Sequence, residues 1–119
     1  MNKTEAKMVA ALKAGKEHKS GNLIVRGPFP LDLEHSPAGI HYEVKYYASE
    51  LCSYFPHRNL LVIYSQLNQS ASTKSHMNAI LEGFGLKQRI TQRDFQWYFG
   101  TPQEQKLFDK KLTLELPPR

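Results

Sequence analysis

One apolar stripe constrains the fold of this chain more than any other feature. It lies in the segment "SASTKSHMNAILEGFG", residues 70–85, and consists of Met77, Ile80, Leu81 and Phe84. Side chains spaced i, i+3, i+4 and i+7 share one face of a helix. The segment therefore predicts a helix over 73–84 with one face that must be buried. Ser72 or Thr73 is the predicted N-cap, because a hydroxyl there can accept a free backbone N–H.

The segments that precede this helix have the pattern of strands. In "IHYEVKYYA" apolar and polar residues alternate, which predicts a half-buried strand. The predicted strands cover about 22–26, 41–54 and 60–65. The buried stripe is thus expected to pack on a sheet.

The two ends of the chain carry helix signals of their own. Thr4 is a plausible N-cap for a first helix over about 4–19, which Gly21 could end. Near the C-terminus, Thr101, Pro102 and Glu104 have the spacing of a capping box, which predicts a helix over 102–111 followed by an extended tail.

Together these elements predict an α+β fold in a single small domain, residues 1–119. The expected architecture is a mainly antiparallel sheet, one central helix packed on it (72–84), and N- and C-terminal helices. A hairpin over 86–99 should turn near Arg93 and Asp94, with Phe95, Trp97 and Phe99 on its inward face.

Composition narrows the function class. The formal net charge is +5, which permits an anionic partner such as nucleic acid. Cys52 is the only cysteine, so an intramolecular disulfide and a thiolate zinc cluster are excluded. No apolar run approaches the ~20 residues of a membrane span. We expect a cytoplasmic protein, in the host cytoplasm if phage-encoded, with no cofactor and no membrane association.

Basic residues gather around the hairpin and the start of the central helix. A helix N-terminus favours anions, and Lys74 is unexpected there unless an anion is present. Basic residues interleaved with tyrosine suit phosphate contacts and base stacking. The candidate nucleic-acid-binding residues are Lys74, His76, Lys87, Arg89, Arg93 and Tyr98.

From Glu43 to Phe99 the chain resembles a family of small phage-type proteins of unknown function. The resemblance lies in "STKSHMNAI" (72–80), where Ser72 and Thr73 stand for paired threonines, His76 for an arginine and Asn78 matches, and in the aromatic strand "FQWYF" (95–99). It implies a phage or mobile-element accessory protein that contacts nucleic acid, a nucleoprotein or host machinery. Asn78 itself is expected to bond a neighbouring backbone group.

A protein–protein inhibitor of a host complex, such as a defence complex, is the first alternative. Aromatic residues dominate interface hot spots. Its anchors would be exposed tyrosines, namely Tyr42, Tyr46, Tyr47 and Tyr54. Homodimerisation through an open sheet edge or the "LTLEL" tail is a further alternative.

A Mg²⁺-dependent nuclease is the second alternative. Asp32 and Glu43 would hold the metal and Lys45 would orient water, but E-x-K also arises on any strand with a charged outer face. The five histidines show no i, i+4 pair, so the sequence predicts no histidine metal site. A binding protein without catalysis is the preferred interpretation.

Overall fold

The computed structural model describes residues 1–30, 40–67 and 70–118. Within these ranges two α-helices and nine strands form, with a 3₁₀ turn at Pro56–Arg58. The helices are α1 (Lys3–Ala14) and α2 (Ala71–Gly83). The strands are β1 (His18–Ser20), β2 (Leu23–Pro30), β3 (Ile40–Tyr46), β4 (Ser49–Phe55), β5 (Leu60–Tyr64), β6 (Arg89–Arg93), β7 (Gln96–Thr101), β8 (Glu104–Phe108) and β9 (Lys111–Glu115).

The strands form two antiparallel sheets. The larger has the order β1-β2-β3-β4-β5-β9, and the smaller has the order β6-β7-β8. The predicted tail is extended. It forms β9, an edge strand of the larger sheet, in which Leu112 and Leu114 pair with β5. The predicted α+β class is confirmed, with a mainly antiparallel sheet and α2 as its central helix.

Both helices pack on one face of the larger sheet and run in the same direction. Near their N-termini Ser75 Oγ donates to Glu5 Oε2 at 2.6 Å, and near their C-termini Lys13 Nζ donates to Gly83 O at 2.9 Å. The helices and the inward strand residues form one hydrophobic core. The predicted stripe is confirmed, since Met77, Ile80 and Leu81 are fully buried and Phe84 packs against the core.

The first helix is shorter than the sequence predicted. Asn2, not Thr4, is the N-cap, and its Oδ1 accepts from Glu5 N at 2.8 Å. The helix ends at Ala14 because Gly15 takes a left-handed φ of 67°, a conformation that glycine adopts cheaply. The predicted end at Gly21 was therefore wrong, and residues 18–20 form an edge strand.

The bounds of other elements also differ from the predictions. The predicted strand over 41–54 is two strands, separated by a turn at Tyr47 and Ala48. The N-cap of α2 is Ser70, whose hydroxyl accepts from Thr73 N at 3.1 Å, so Ser72 and Thr73 lie inside the helix.

The predicted C-terminal helix over 102–111 is wrong. Pro102 and Gln103 form the turn of a hairpin, and β8 follows at once. The capping-box hydrogen bond is nevertheless present, because Glu104 N donates to Thr101 Oγ1 at 3.3 Å. Pairing with β7 gives the backbone after the turn its partners, so no helix propagates.

The smaller sheet is fixed to the core by its inward side chains. Ile90 and Trp97 are almost fully buried, and Trp97 Nε1 donates to Gln66 O at 2.7 Å. Gln66 in turn donates from Nε2 to Glu50 O at 2.7 Å, which connects the smaller sheet to β4 of the larger. The outward face of the smaller sheet is thereby held in a fixed orientation.

Candidate functional site

The outward face of the smaller sheet collects most of the predicted basic residues. Residues paired across antiparallel strands point to the same side, and Arg89, Thr91 and Arg93 pair with Gly100, Tyr98 and Gln96. Tyr98 pairs in turn with Leu107 of β8, and Gly100 with Gln105. We call this surface the hairpin face; its side chains are Arg89, Thr91, Arg93, Gln96, Tyr98, Gln105 and Leu107. Arg89 and Arg93 therefore lie on the same face of the hairpin as Tyr98.

Arg93 and Tyr98 form a stacked pair on this face. The guanidinium carbon of Arg93 lies over the Tyr98 ring, 4.3 Å from its centroid. Arg93 is exposed and Tyr98 is half-buried. Such a contact keeps the guanidinium over the ring, and an exposed guanidinium can still donate N–H groups to an anion.

Arg89 is anchored by the backbone before β6. Its Nη1 donates to Leu86 O at 2.5 Å and to Gln88 O at 2.8 Å. These bonds fix the guanidinium at the end of the hairpin face opposite the turn. Lys87 is exposed in the same segment. Arg89 and Arg93 are four residues apart on one strand, or about 13 Å.

The charge of the hairpin face has one sign. Its seven described side chains include two arginines and no carboxylate. Both arginines therefore add positive charge to this face, and the nearest carboxylate along the chain is Asp94 in the turn. A surface with this composition attracts anions.

Exposed apolar side chains cluster near the turn of the hairpin, where Leu107 belongs to the hairpin face and Leu67 and Phe95 border it. Leu67, Phe95 and Leu107 are exposed to 104%, 87% and 53%. They line a cavity of about 200 Å³ together with Trp97 and Phe108 among others. Phe95 was predicted to point inward with Trp97 and Phe99, which is wrong, because Asp94 and Phe95 form the turn with left-handed φ values of 51° and 61°.

The start of α2 faces α1 instead of solvent. His76 Nδ1 lies 2.8 Å from Glu5 Oε2, and its ring contacts Tyr46 edge-on at 4.6 Å between centroids. Glu5 is 1% exposed. The anion that the polar helix start attracts is thus a carboxylate of the protein itself, and His76 does not lie on the hairpin face.

Several hydrogen bonds hold Glu5 in its charged form. Burial opposes this form, but the hydrogen bonds from Ser75, from the backbone of Asn2 and from His76 outweigh it, and the pKa of Glu5 is lowered. The N-terminal ends of the two parallel helices favour a negative charge in the same place. The contact with Glu5 gives Ser75 and His76 of "STKSH" a structural role.

Lys74 lies on another side of α2. One turn later Asn78 hydrogen-bonds the backbone of Ile90 in β6. Residues four apart share a helix face, so Lys74 is on the side of α2 that borders the smaller sheet. It is half-buried.

The four tyrosines proposed as protein-binding anchors do not form one exposed surface. Tyr42 and Tyr54 are core residues, exposed to 7% and 2%, so the expectation that they are exposed is wrong. Their strand parity points them toward the helices. Tyr46 is half-buried, whereas Tyr47 is 60% exposed at the turn between β3 and β4.

Two of the three proposed nuclease residues share the outward face of the larger sheet. Glu43 lies 3.4 Å from His41 Nε2, and Lys45 pairs with Glu50 of β4. Asp32 lies outside the described residues. Among residues 1–30, 40–67 and 70–118, no three His, Cys, Asp or Glu side chains are arranged to hold a metal ion.

Glu50 belongs to a hydrogen-bonded chain on that same outward face. Ser53 Oγ donates to Glu50 Oε1 at 2.9 Å and lies 3.0 Å from the Tyr64 hydroxyl. Burial raises the pKa of Glu50; the bond from Ser53 opposes the shift, and the negative charge of Glu43 adds to it. Cys52 is fully buried behind this face, and burial raises the pKa of its thiol, which makes it unreactive.

Sequence reasoning missed Glu5 and the group formed by Leu67, Phe95 and Leu107. No local signal connects Glu5 with a histidine 71 residues away. For Phe95 the local signal was weak, because a two-residue turn with positive φ at both positions favours Asn-Gly or Asp-Gly, whereas Asp94 and Phe95 form it here.

No helix in the described part of the chain is long and apolar enough to cross a membrane.

Comparison with known proteins places the chain among phage proteins. A protein-family model matches residues 1–115, nearly the whole sequence. The chain belongs to the family described as the Kyanoviridae Gp96 protein. No curated protein and no solved structure matches it significantly. The expected phage-type relationship is confirmed at the level of the family, and its finer helix motif stays a prediction.

Proposed function

We propose that this phage accessory protein binds nucleic acid, free or in a nucleoprotein, through the hairpin face and without catalysis. The observation that carries the proposal is the Arg93–Tyr98 stack beside Arg89, on a face whose described side chains include no carboxylate. We place this activity in the host cytoplasm, where phage proteins meet nucleic acid.

Each basic residue has a distinct role in this proposal. Arg93 contacts a phosphate from its guanidinium edge, and Arg89 contacts a second one from its anchored position. Lys87 and Lys74 border the face and add to the long-range attraction. Phosphate contacts of this kind release counterions, so affinity should fall steeply as salt rises.

A fluorescence-anisotropy titration against DNA and RNA oligonucleotides at several salt concentrations tests the proposal. The variant is Lys87→Ala/Arg93→Ala, which leaves the Arg89 anchor intact. Its control is Lys19→Ala/Arg26→Ala, which removes the same charge from exposed positions on the larger sheet. We expect the first variant to bind at least tenfold more weakly and to show a shallower salt dependence. Equal affinity of both variants would exclude the hairpin face.

The same titration with Mg²⁺ checks the nuclease alternative. Product fragments that form only with Mg²⁺, and that Glu43→Ala abolishes, would contradict a non-catalytic role. Unchanged oligonucleotides after prolonged incubation are the expected result.

The apolar group at the turn favours a second candidate, inhibition of a host protein complex. Leu67, Phe95 and Leu107 expose apolar area around the edge of Trp97, the chemistry of an interface hot spot. In this case the wild type binds no nucleic acid at low salt. A host complex would instead co-purify with the wild type and be lost with Phe95→Asp, while Ala10→Asp, at an exposed position of α1, retains it.

A further inference from the structure

We infer that the hairpin face takes single-stranded nucleic acid, whose bases stack on the Arg93–Tyr98 pair and on Phe95. This inference rests on the proposed function and names the form of nucleic acid that the same site would bind. Phosphate attraction alone would serve duplex and single strand alike. The exposed aromatic side chains are the feature that would favour a single strand over a duplex.

The Arg93–Tyr98 pair has the geometry of a stacking platform. Tyr98 belongs to β7, the middle strand, and Arg93 is the last residue of the neighbouring strand β6. The guanidinium carbon of Arg93 lies 4.3 Å from the centroid of the Tyr98 ring, and the Arg93 side chain is exposed. Unstacked bases pack on arginine planes and on aromatic rings, and the arginine edges remain available for phosphate.

Phe95 provides a second stacking surface. The left-handed φ values of Asp94 and Phe95 turn the chain so that the Phe95 side chain is 87% exposed. It lies three residues from Tyr98 along the chain, or about 10 Å of strand length. Leu107 pairs with Tyr98 and is half-exposed, so it adds apolar surface beside the Arg93–Tyr98 pair.

A duplex would leave these features unused. Its bases are stacked on each other, so a platform for base faces has nothing to contact. The major groove admits an α-helix or a two-stranded β-ribbon, whereas the hairpin face belongs to a three-stranded sheet. Of the two helices in the described residues, α2 has Ser75 and His76 engaged with Glu5 and its stripe from Met77 to Leu81 buried, and the first turn of α1 is capped by Asn2.

Anisotropy at physiological salt, with ~12-nucleotide probes, tests the inference. The probes are oligo(dT), the same strand with abasic sites at its central positions, the corresponding duplex, and an RNA strand. We expect the single strands to bind at least tenfold more tightly than the duplex and the abasic strand. The abasic probe keeps every phosphate and removes only base faces.

The variants separate stacking from charge. Tyr98→Ala should weaken single-strand binding by about 5- to 100-fold without changing the salt slope, whereas Tyr98→Phe keeps the ring and should retain most of the affinity. Phe95→Ala should cause a smaller loss. Tyr47→Ala, at an exposed tyrosine on the larger sheet, is the matched control and should bind as the wild type does.

The outcomes distinguish nucleic-acid binding by the hairpin face from the preference of that face for single strands. Equal affinity for single strand, abasic strand and duplex would overturn the inference and leave nucleic-acid binding in place. Absence of binding to every probe at low salt would overturn both. If Tyr98→Ala does not fold, the abasic probe with the wild type still decides.

Discussion

The side-chain amide of Asn78 bonds both backbone groups of Ile90. Ile90 N donates to Asn78 Oδ1 at 2.7 Å, and Asn78 Nδ2 donates to Ile90 O at 2.9 Å. In this way α2 supplies, from one side chain, the pairing that an adjacent strand would give to the edge of β6. These two hydrogen bonds hold the smaller sheet, and with it the hairpin face, against the core.

Replacement of Asn78 should therefore destabilise the protein. In Asn78→Ala the N–H and C=O of a residue that is 1% exposed lose their partners. An unsatisfied buried backbone group costs about 1–3 kcal/mol. We expect a loss of about 2–4 kcal/mol in the free energy of unfolding, measured by urea denaturation. Glu82→Ala, at an exposed position of the same helix, should change it little, and equal effects of the two would contradict the role of Asn78.

Hydrophobic periodicity correctly predicted the elements in which the spacing of apolar residues alone determines which face is buried. The α2 stripe and the alternation in β3 are local features, and each has only one way to bury its apolar side chains. The resemblance to a phage-type family likewise used residues of this segment. Asn78, expected to bond a neighbouring backbone group, does so.

The C-terminal helix shows where local patterns fail. The hydrogen bond between Glu104 N and Thr101 Oγ1 forms in a capping box and forms here too, yet the chain turns into β8. The difference is the presence of β7, a pairing partner that the local sequence does not reveal. Tertiary pairing therefore overrode helix propensity.

The candidate site was predictable in part, because the alternation of side chains along a strand is a local feature of the sequence. The alternation of side chains predicted that Lys87, Arg89 and Thr91 share one face, and in the structure Arg89 and Thr91 lie on the same face as Tyr98. It failed for Phe95, since the left-handed turn interrupts the alternation. It could not foresee that His76 would face Glu5, because that contact depends on the packing of two helices distant in sequence.

The parallel helices make Gly83 a close-packed position. A Cβ there would lie 2.1 Å from Val9 Cγ1. Gly→Ala usually stabilises a helix, but this overlap should reverse the sign and cost about 1–3 kcal/mol. Urea denaturation measures the loss in Gly83→Ala.

A double-mutant cycle identifies the cause of that loss. Val9→Ala removes the overlapping methyl groups, so Gly83→Ala should cost much less in that background. Gly85→Ala is the control, since nothing lies within 4 Å of its Cβ and only its φ of 78° opposes the change. A Gly83→Ala cost that Val9→Ala leaves unchanged would contradict helix–helix overlap.

Glu5 should make the protein less stable in acid. Because the pKa of Glu5 is lower in the folded protein than its ordinary value of 4.5, its contribution is present above that value and lost as pH falls through the folded pKa. Glu5→Gln removes this titration, so its free energy of unfolding should change less between about pH 5 and pH 3. Glu17→Gln, at an exposed position, should keep the wild-type profile, and a Glu5→Gln profile as steep as the wild type would rule out the proposed linkage.

Glu50 should have the opposite pH dependence. Its folded pKa is raised above the ordinary 4.5, chiefly by burial, so the stability it contributes is present below that value and lost as pH rises through the raised pKa. Glu50→Gln keeps an acceptor for the Ser53 hydroxyl and removes the charge near Glu43. We therefore expect Glu50→Gln to unfold at a higher urea concentration than the wild type at pH 7, with a smaller difference at pH 4. Glu115→Gln, exposed on β9, provides the matched loss of one charge. If Glu50→Gln were no more stable than Glu115→Gln at pH 7, the carboxylate of Glu50 would not be the destabilising charge on this face of the sheet.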